Sequence, residues 1–291
     1  MIGFPAAGLA AAAPLAARNA LLDCAFYDVE GLSGAERALL APAPRAGGAV
    51  VVVRPNPGAR GVALTRHEDF AAFRMAPGDL LKHFALAGMG GSALGGAALA
   101  RTLANHLDAP VGAIVGGCGL ERIIDEALGG WVWFGLAGRA RAWRRTQARP
   151  DAAAPALAMT AGGPAEIHPP PGAFDLAALL KVMRDPAREI RTLVGHSRGA
   201  LTLAAALQGL WRHDAEAFDR LRHASVRTLG AVAPLPASLT DVAQHLGDLD
   251  LLGWLNSIPG TPRRRAPRAA HHLNPRIPGH LDFRAVLEGR I

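Results

Sequence analysis

Two cysteines, one tyrosine and two lysines in 291 residues are what this sequence most conspicuously withholds. Cys24 and Cys118 are too few for a disulfide framework and lack the spacing of a zinc site, so both are expected to be small core residues and no metal is expected. Aromatic residues make up only 5% of the chain. A core must then be built mainly from Ala, Val and Leu, which favours close helix-on-sheet packing over a ligand cage of stacked rings. The only lysines are Lys82 and Lys181, leaving 29 arginines among 31 basic residues. Beside so much Ala, Gly and Pro, that skew looks like a GC-rich coding bias. No nucleic-acid partner is therefore expected from the formal net charge of +7, and the runs Arg139–Arg149 and Arg263–Arg268 read as solvated surface, with a site for an anionic partner as the alternative. A long uninterrupted apolar run is also missing. Residues Ile2–Ala17 are Ala-rich, broken by Pro5 and Pro14, and have no basic residue ahead of Arg18. They make a poor signal peptide and are too short to span a bilayer, so a docked helix and a cytoplasmic protein are expected.

Half of the residues are hydrophobic, ample for a large buried core. Five short apolar segments ending in turn residues read as buried parallel strands: Ala49–Arg54, His83–Gly88, Val111–Val115, Ile190–Val194 and Val226–Val232. Helical patterns lie between several of them, at Gly95–Leu107, Leu120–Leu128, Leu176–Met183 and Ala200–Trp211. Strands alternating with helices predict an α/β fold with a doubly wound, mostly parallel sheet covered on both faces. The expected organisation is an N-terminal helical extension over 1–45 and one domain over 46–291, with an excursion at about 120–187. That excursion carries Trp131, Trp133, Phe134 and Trp143 before a proline-rich stretch. It is either a lid whose aromatics line an apolar pocket or a loop holding one packed helix.

The informative stretch is Gly195-His196-Ser197-Arg198-Gly199, which matches G-x-S-x-G between an apolar strand and an Ala/Leu helix. With 34 Gly and six Ser, about 0.08 such matches are expected by chance. A strand turning sharply into a helix puts the serine at a strained apex, and its neighbours two residues away must lack clashing side chains. The helix start then aims N–H groups and a positive dipole end at a developing oxyanion. The bland alternative is an ordinary glycine-rich turn with an exposed serine.

Val194-Gly-His-Ser-Arg-Gly-Ala resembles the nucleophile elbow of the α/β-hydrolase superfamily, and the resemblance covers roughly residues 49–285. It implies a triad in the order Ser, Asp or Glu, His, with Ser197 as nucleophile. His83-Phe-Ala-Leu-Ala-Gly88 followed by Met89-Gly90-Gly91-Ser92 resembles the family's oxyanion turn, with Ala87 where a His often stands. By that match the backbone N–H groups of Met89 and Arg198 would hold the oxyanion. Pro267-Arg-Ala-Ala-His271-His272 resembles the loop that presents the base, placing it at His271 with His272 as alternative; His280 reads as a surface turn or a substrate contact. Val242-Ala-Gln-His-Leu-Gly247-Asp248-Leu-Asp250 resembles the turn that carries the acid, selecting Asp250, with Asp248 and Asp241 as alternatives. Val226-Arg-Thr-Leu-Gly-Ala-Val-Ala-Pro resembles the strand after the nucleophile in class 3 lipases.

The resemblance implies a serine esterase or lipase-like enzyme that cleaves a carboxylic ester with an apolar acyl group. Its partner would be a small-molecule or lipid ester, with peripheral lipid contact open and no organic cofactor. The rivals are an acyltransferase using the same acyl-enzyme, a non-catalytic hydrolase-like binding protein, and nucleotide binding. The last arises because Gly88–Ala93 also fits G-x-G-x-x-A, although no acidic residue ends the next strand.

Overall fold

The computed structural model describes residues 18–40, 47–76, 80–88, 92–116 and 174–291. Its eight strands are β1 Val50–Val53, β2 Leu64–His67, β3 His83–Leu86, β4 Val111–Ile114, β5 Thr192–His196, β6 Ser225–Leu229, β7 Asp241–Gly247 and β8 Arg264–Ala266. They form one sheet in the order β2-β1-β4-β3-β5-β6-β7-β8. All pairings from β4 through β8 are parallel, and β1 is antiparallel to both of its neighbours.

Four consecutive valines explain why β1 is a strand inside a two-faced sheet. Val51 and Val53 enter the core on one face, Val50 and Val52 the core on the other. Alternating side chains buried on both sides require a continuous apolar run. The expectation that this segment runs parallel is corrected. Arg54 N–H bonds to the Ala63 carbonyl, closing a hairpin into β2, and a hairpin return is antiparallel by construction. An apolar run reports burial on two faces and carries no sign of direction.

The described helices cover both faces. Helix α1 occupies residues 18–26, followed by α2 Gly34–Leu39, α3 Phe70–Met75, α4 Ala93–Leu107, α5 Phe174–Arg184, α6 Arg198–His213, α7 Ala215–Leu221, α8 Leu251–Asn256 and α9 Phe283–Leu287. Helices α4 and α9 pack in one apolar core with Val51, Val53, Ala85 and Val194. Helices α3, α5, α6 and α7 pack in the other with Val50, Phe84, Leu86 and Leu193. Small residues set the approach on the first face: α4 lays Ala97 and Ala100, both fully buried, toward the sheet. The Ser92 side chain caps its start and Asp108, at φ 48°, ends it.

The extension expected over 1–45 is, in its described part, within this same body. Tyr27, Val29, Leu32 and Leu40 are buried in the α4 core. Glu36 forms an ion pair with Arg101 of α4 at 2.6 Å, both side chains buried. Cys24 is exposed, correcting its expected core position. The buried stripe that runs along α1 and onto the residue after it is Asn19, Asp23 and Tyr27, four residues apart, and Cys24 lies off it. Cys118, the Ile2–Ala17 segment, the 139–149 arginines and the excursion up to residue 173, with its tryptophans, lie outside the described residues. Among the described residues, no helix is long and apolar enough to cross a membrane.

Candidate active site

Between β3 and β4 the chain crosses to one side through α4, and between β4 and β5 it returns past β3 to the other side. Strand order therefore reverses at β3/β5, and in open α/β sheets the carboxyl ends of strands at such a point form a crevice. Gly88, just beyond β3, and Ser197, just beyond β5, meet there. A Cβ added to Gly88 would stand 2.5 Å from Ser197 Cβ, so only glycine permits this approach.

Ser197 has φ 53° and ψ −120°, a region that L-residues rarely occupy. The turn is held by a hydrogen bond from Ser197 N–H to the Leu229 carbonyl of β6 at 2.7 Å. Helix α6 starts at once. A Cβ on Gly195 would lie 2.7 Å from Ala200 Cα, and one on Gly199 would run into the Leu86 and Ala87 carbonyls. The two glycines of the motif thus answer two different contacts: the helix folding back on its strand, and the helix start pressing on β3.

His271 Nε2 lies 2.8 Å from Ser197 Oγ, and its Nδ1 lies 2.7 Å from Asp250 Oδ1. A carboxylate accepts, so Nδ1–H donates to Asp250 and the lone pair at Nε2 faces the serine hydroxyl. Asp250 Oδ1 also accepts the Gly253 N–H at 2.6 Å, at the start of α8. All three residues are buried. The Phe26 ring meets the His271 ring edge-on at 5.6 Å.

The structure brings Ser197, His271 and Asp250 together and leaves the alternatives elsewhere. Asp248 pairs with Arg265 at 2.7 Å, and Asp241, half exposed at the head of β7, pairs with Arg227 at 2.8 Å. The His272 ring faces His280, 6.5 Å away. Arg198 opens α6, so its backbone N–H belongs to the first turn, where N–H groups point out of the helix toward the serine. Its guanidinium pairs with Asp175 of α5 at 3.0 Å. Met89 lies outside the described residues. Gly88, first glycine of the dinucleotide-like run, gives its N–H to the Tyr27 hydroxyl.

Sequence reasoning missed Tyr27, Asp23 and the part played by His196. The Tyr27 hydroxyl lies 2.7 Å from His196 Nδ1, and His196 Nε2 lies 2.9 Å from the His271 carbonyl oxygen. Burial, with His271 close by, holds the His196 ring far below the usual histidine range, at about 3. Asp23, fully buried, accepts from the Ser92 hydroxyl and from Gly95 N–H. Burial outweighs those bonds and pushes its carboxyl up to about 7. The readable signal was the polar stripe 19-23-27 on a helix otherwise free to bury leucines; Leu21 is left 72% exposed instead.

Scans of protein-family models, curated proteins and solved structures give no match to this chain. Among the described residues, no group of three or more His, Cys, Asp or Glu is placed to hold a metal ion.

Proposed function

We propose that this chain is a serine hydrolase of the α/β-hydrolase type, cleaving a carboxylic ester with an apolar acyl group through an acyl-enzyme on Ser197. One observation carries the reading: the continuous buried chain from Ser197 Oγ through His271 to Asp250, with bonds of 2.8 and 2.7 Å. Nucleophile within reach of a base, and base oriented by a buried acid, is the arrangement that activates a hydroxyl. Its place at the reversal of strand order, and the strained backbone at Ser197, support the same reading.

In this mechanism Ser197 Oγ attacks the ester carbonyl carbon as its proton passes to His271 Nε2. The tetrahedral oxyanion is held by the Arg198 N–H and, by the resemblance described above, the Met89 N–H. The C–O bond to the alcohol breaks and His271 returns the proton to that oxygen. A water then repeats the sequence on the acyl-enzyme, giving the carboxylic acid and free Ser197. Asp250 keeps the imidazole in the Nδ1–H tautomer and stabilises its cation.

The test is fluorophosphonate labelling together with turnover of p-nitrophenyl esters of graded chain length. Ser197→Ala should abolish labelling and lower turnover by about 10⁵–10⁶-fold in a folded protein, because the three residues act as a unit. A folded Ser197→Ala protein with undiminished turnover ends the mechanism.

A further inference from the structure

We propose that Tyr27 and His196 are positioning residues of this site, forming one directional hydrogen-bond chain that locks the end of β3 and the loop of the base to each other. The inference rests on the hydrolase reading for its catalytic consequence. It rests on geometry alone for the chain itself.

The direction of every bond follows from donors and acceptors. The His271 carbonyl can only accept, so His196 Nε2, 2.9 Å away, carries a proton. A neutral ring then has an acceptor at Nδ1, so the Tyr27 O–H donates to it across 2.7 Å. The Tyr27 oxygen in turn accepts the Gly88 N–H at 2.6 Å. Gly88 N–H, Tyr27 O–H and His196 Nε2–H thus donate in series, ending on the backbone of the base. A protonated His196 would have no acceptor at Nδ1 and would break the series. Burial keeps it neutral, at about 3.

The chain joins four segments distant in sequence: α1, the end of β3, the elbow and the His271 loop. Each end meets reacting machinery. Gly88 abuts Ser197, and the His271 carbonyl belongs to the residue whose ring meets Ser197 Oγ. Helix α1 reinforces both ends. Asp23, one turn before Tyr27, holds Ser92 and Gly95, so α1 grips residues on either side of 89–91. Leu273 N–H donates to the Phe26 carbonyl at 2.8 Å, and Asn274 Nδ2 donates to the Cys24 carbonyl at 2.8 Å. Asp23 and Tyr27 are polar where they meet Ser92, Gly95 and Gly88; ordinary core packing would fill such positions with aliphatic side chains.

The experiment uses the full chain with Tyr27→Phe, which keeps the ring and its packing and removes only the hydroxyl. Displacing a reacting group by a fraction of an ångström costs rate more than affinity, so kcat should fall about 10–100-fold with KM changed less than about twofold. His196→Gln, with an amide N–H near the Nε2 position, should retain more kcat than His196→Leu. Imidazole ¹⁵N NMR of the wild type should show His196 as the neutral Nε2–H tautomer from pH 5 to 8. Tyr27→Phe with wild-type kcat, or a His196 that titrates within that range, overturns the proposal. Equal losses in Gln and Leu variants that track their melting temperatures also overturn it. Where the wild type fails to take the fluorophosphonate, the hydrolase reading is what has failed. The NMR tautomer, and its loss in Tyr27→Phe, then decide the chain on their own.

Discussion

Asp250 is held twice through one oxygen: Oδ1 accepts from His271 and from Gly253, while Oδ2 is buried with no hydrogen-bond partner among the described residues. A carboxylate so placed orients the imidazole more than it meets solvent. Asp250→Asn keeps size and removes charge, and its amide N–H facing Nδ1 would force the opposite tautomer. Turnover of a p-nitrophenyl ester should fall by about 10⁴-fold. Asp248→Asn should change it less than about twofold, since Asp248 pairs with the exposed Arg265. The reverse ranking would move the acid to Asp248 and detach His271 from the mechanism. Sequence had left these two aspartates open because they stand two residues apart on one turn. The cap of α8 separates them: Asp250 is buried and caps α8 at Gly253, whereas Asp248 pairs with the exposed Arg265.

At the scale of elements, what was legible followed burial. Strands β3, β4 and β5 are largely buried on both faces, and each lies within two residues of the segment read from the sequence; β6, which carries Ser225, Arg227 and Thr228, begins one residue before its segment and ends three before that segment does. Strands β2 and β8 were not legible. Only Leu64 of β2 and Ala266 of β8 are buried, and both strands lie at the ends of the sheet, where polar and charged side chains protect an open edge. Strand β7 read poorly because of Gln244 and His245, yet both are buried. The Gln244 side-chain oxygen accepts from Thr228 Oγ1 and Ala233 N–H, which is what allows an amide into a strand. The elbow was legible because its spacing is a local steric demand. The Tyr27–His196–His271 chain was not, since its partners lie 169 and 75 residues apart. The α2 corner has the same character. Ser33 and Glu36 form a capping box, a local signal, but Glu36 also accepts Ala63 N–H at 2.8 Å and pairs with Arg101. Removing it leaves a buried guanidinium uncompensated. Glu36→Ala should cost about 3–5 kcal/mol in urea unfolding, whereas Glu216→Ala, which breaks the exposed pair with Arg220 at 3.2 Å, should cost less than about 1 kcal/mol. Equal costs would show that Arg101 reaches water once Glu36 is gone.

At the scale of the whole molecule, many of the described arginines are matched one by one with carboxylates or a ring. In the described arginine run, Arg263 lies over the Trp254 ring at 4.3 Å and Arg265 pairs with Asp248; Arg184, Arg188 and Arg227 are likewise paired with carboxylates. The buried titratable groups have a larger global consequence. His196 at about 3 and His245 at about 4 are both held below the ordinary 6.5, chiefly by burial, His245 also by Arg264 and Arg227. Each binds its proton better unfolded, so its stability is present above pH 6.5 and is lost as pH falls toward the folded value. His67, His83 and His272, also lowered, act in the same direction. Asp23 acts oppositely. Its carboxyl rises from 3.8 to about 7, so the folded state holds the proton better and stability declines as pH climbs between those values. The positive end of α4 favours the carboxylate by about 0.3–1 kcal/mol, less than burial costs it. Between pH 4 and 6.5 Asp23 therefore cancels about one proton's worth of histidine-driven acid destabilisation, roughly 1.4 kcal/mol per pH unit. Asp23→Asn removes that compensation. Unfolding free energies from urea titrations at pH 4.5, 5.5 and 6.5 should fall more steeply on acidification in the variant than in the wild type, by about that amount per unit. Parallel slopes would mean that Asp23 is ionised throughout the window, and that the bonds from Ser92 and Gly95 outweigh its burial.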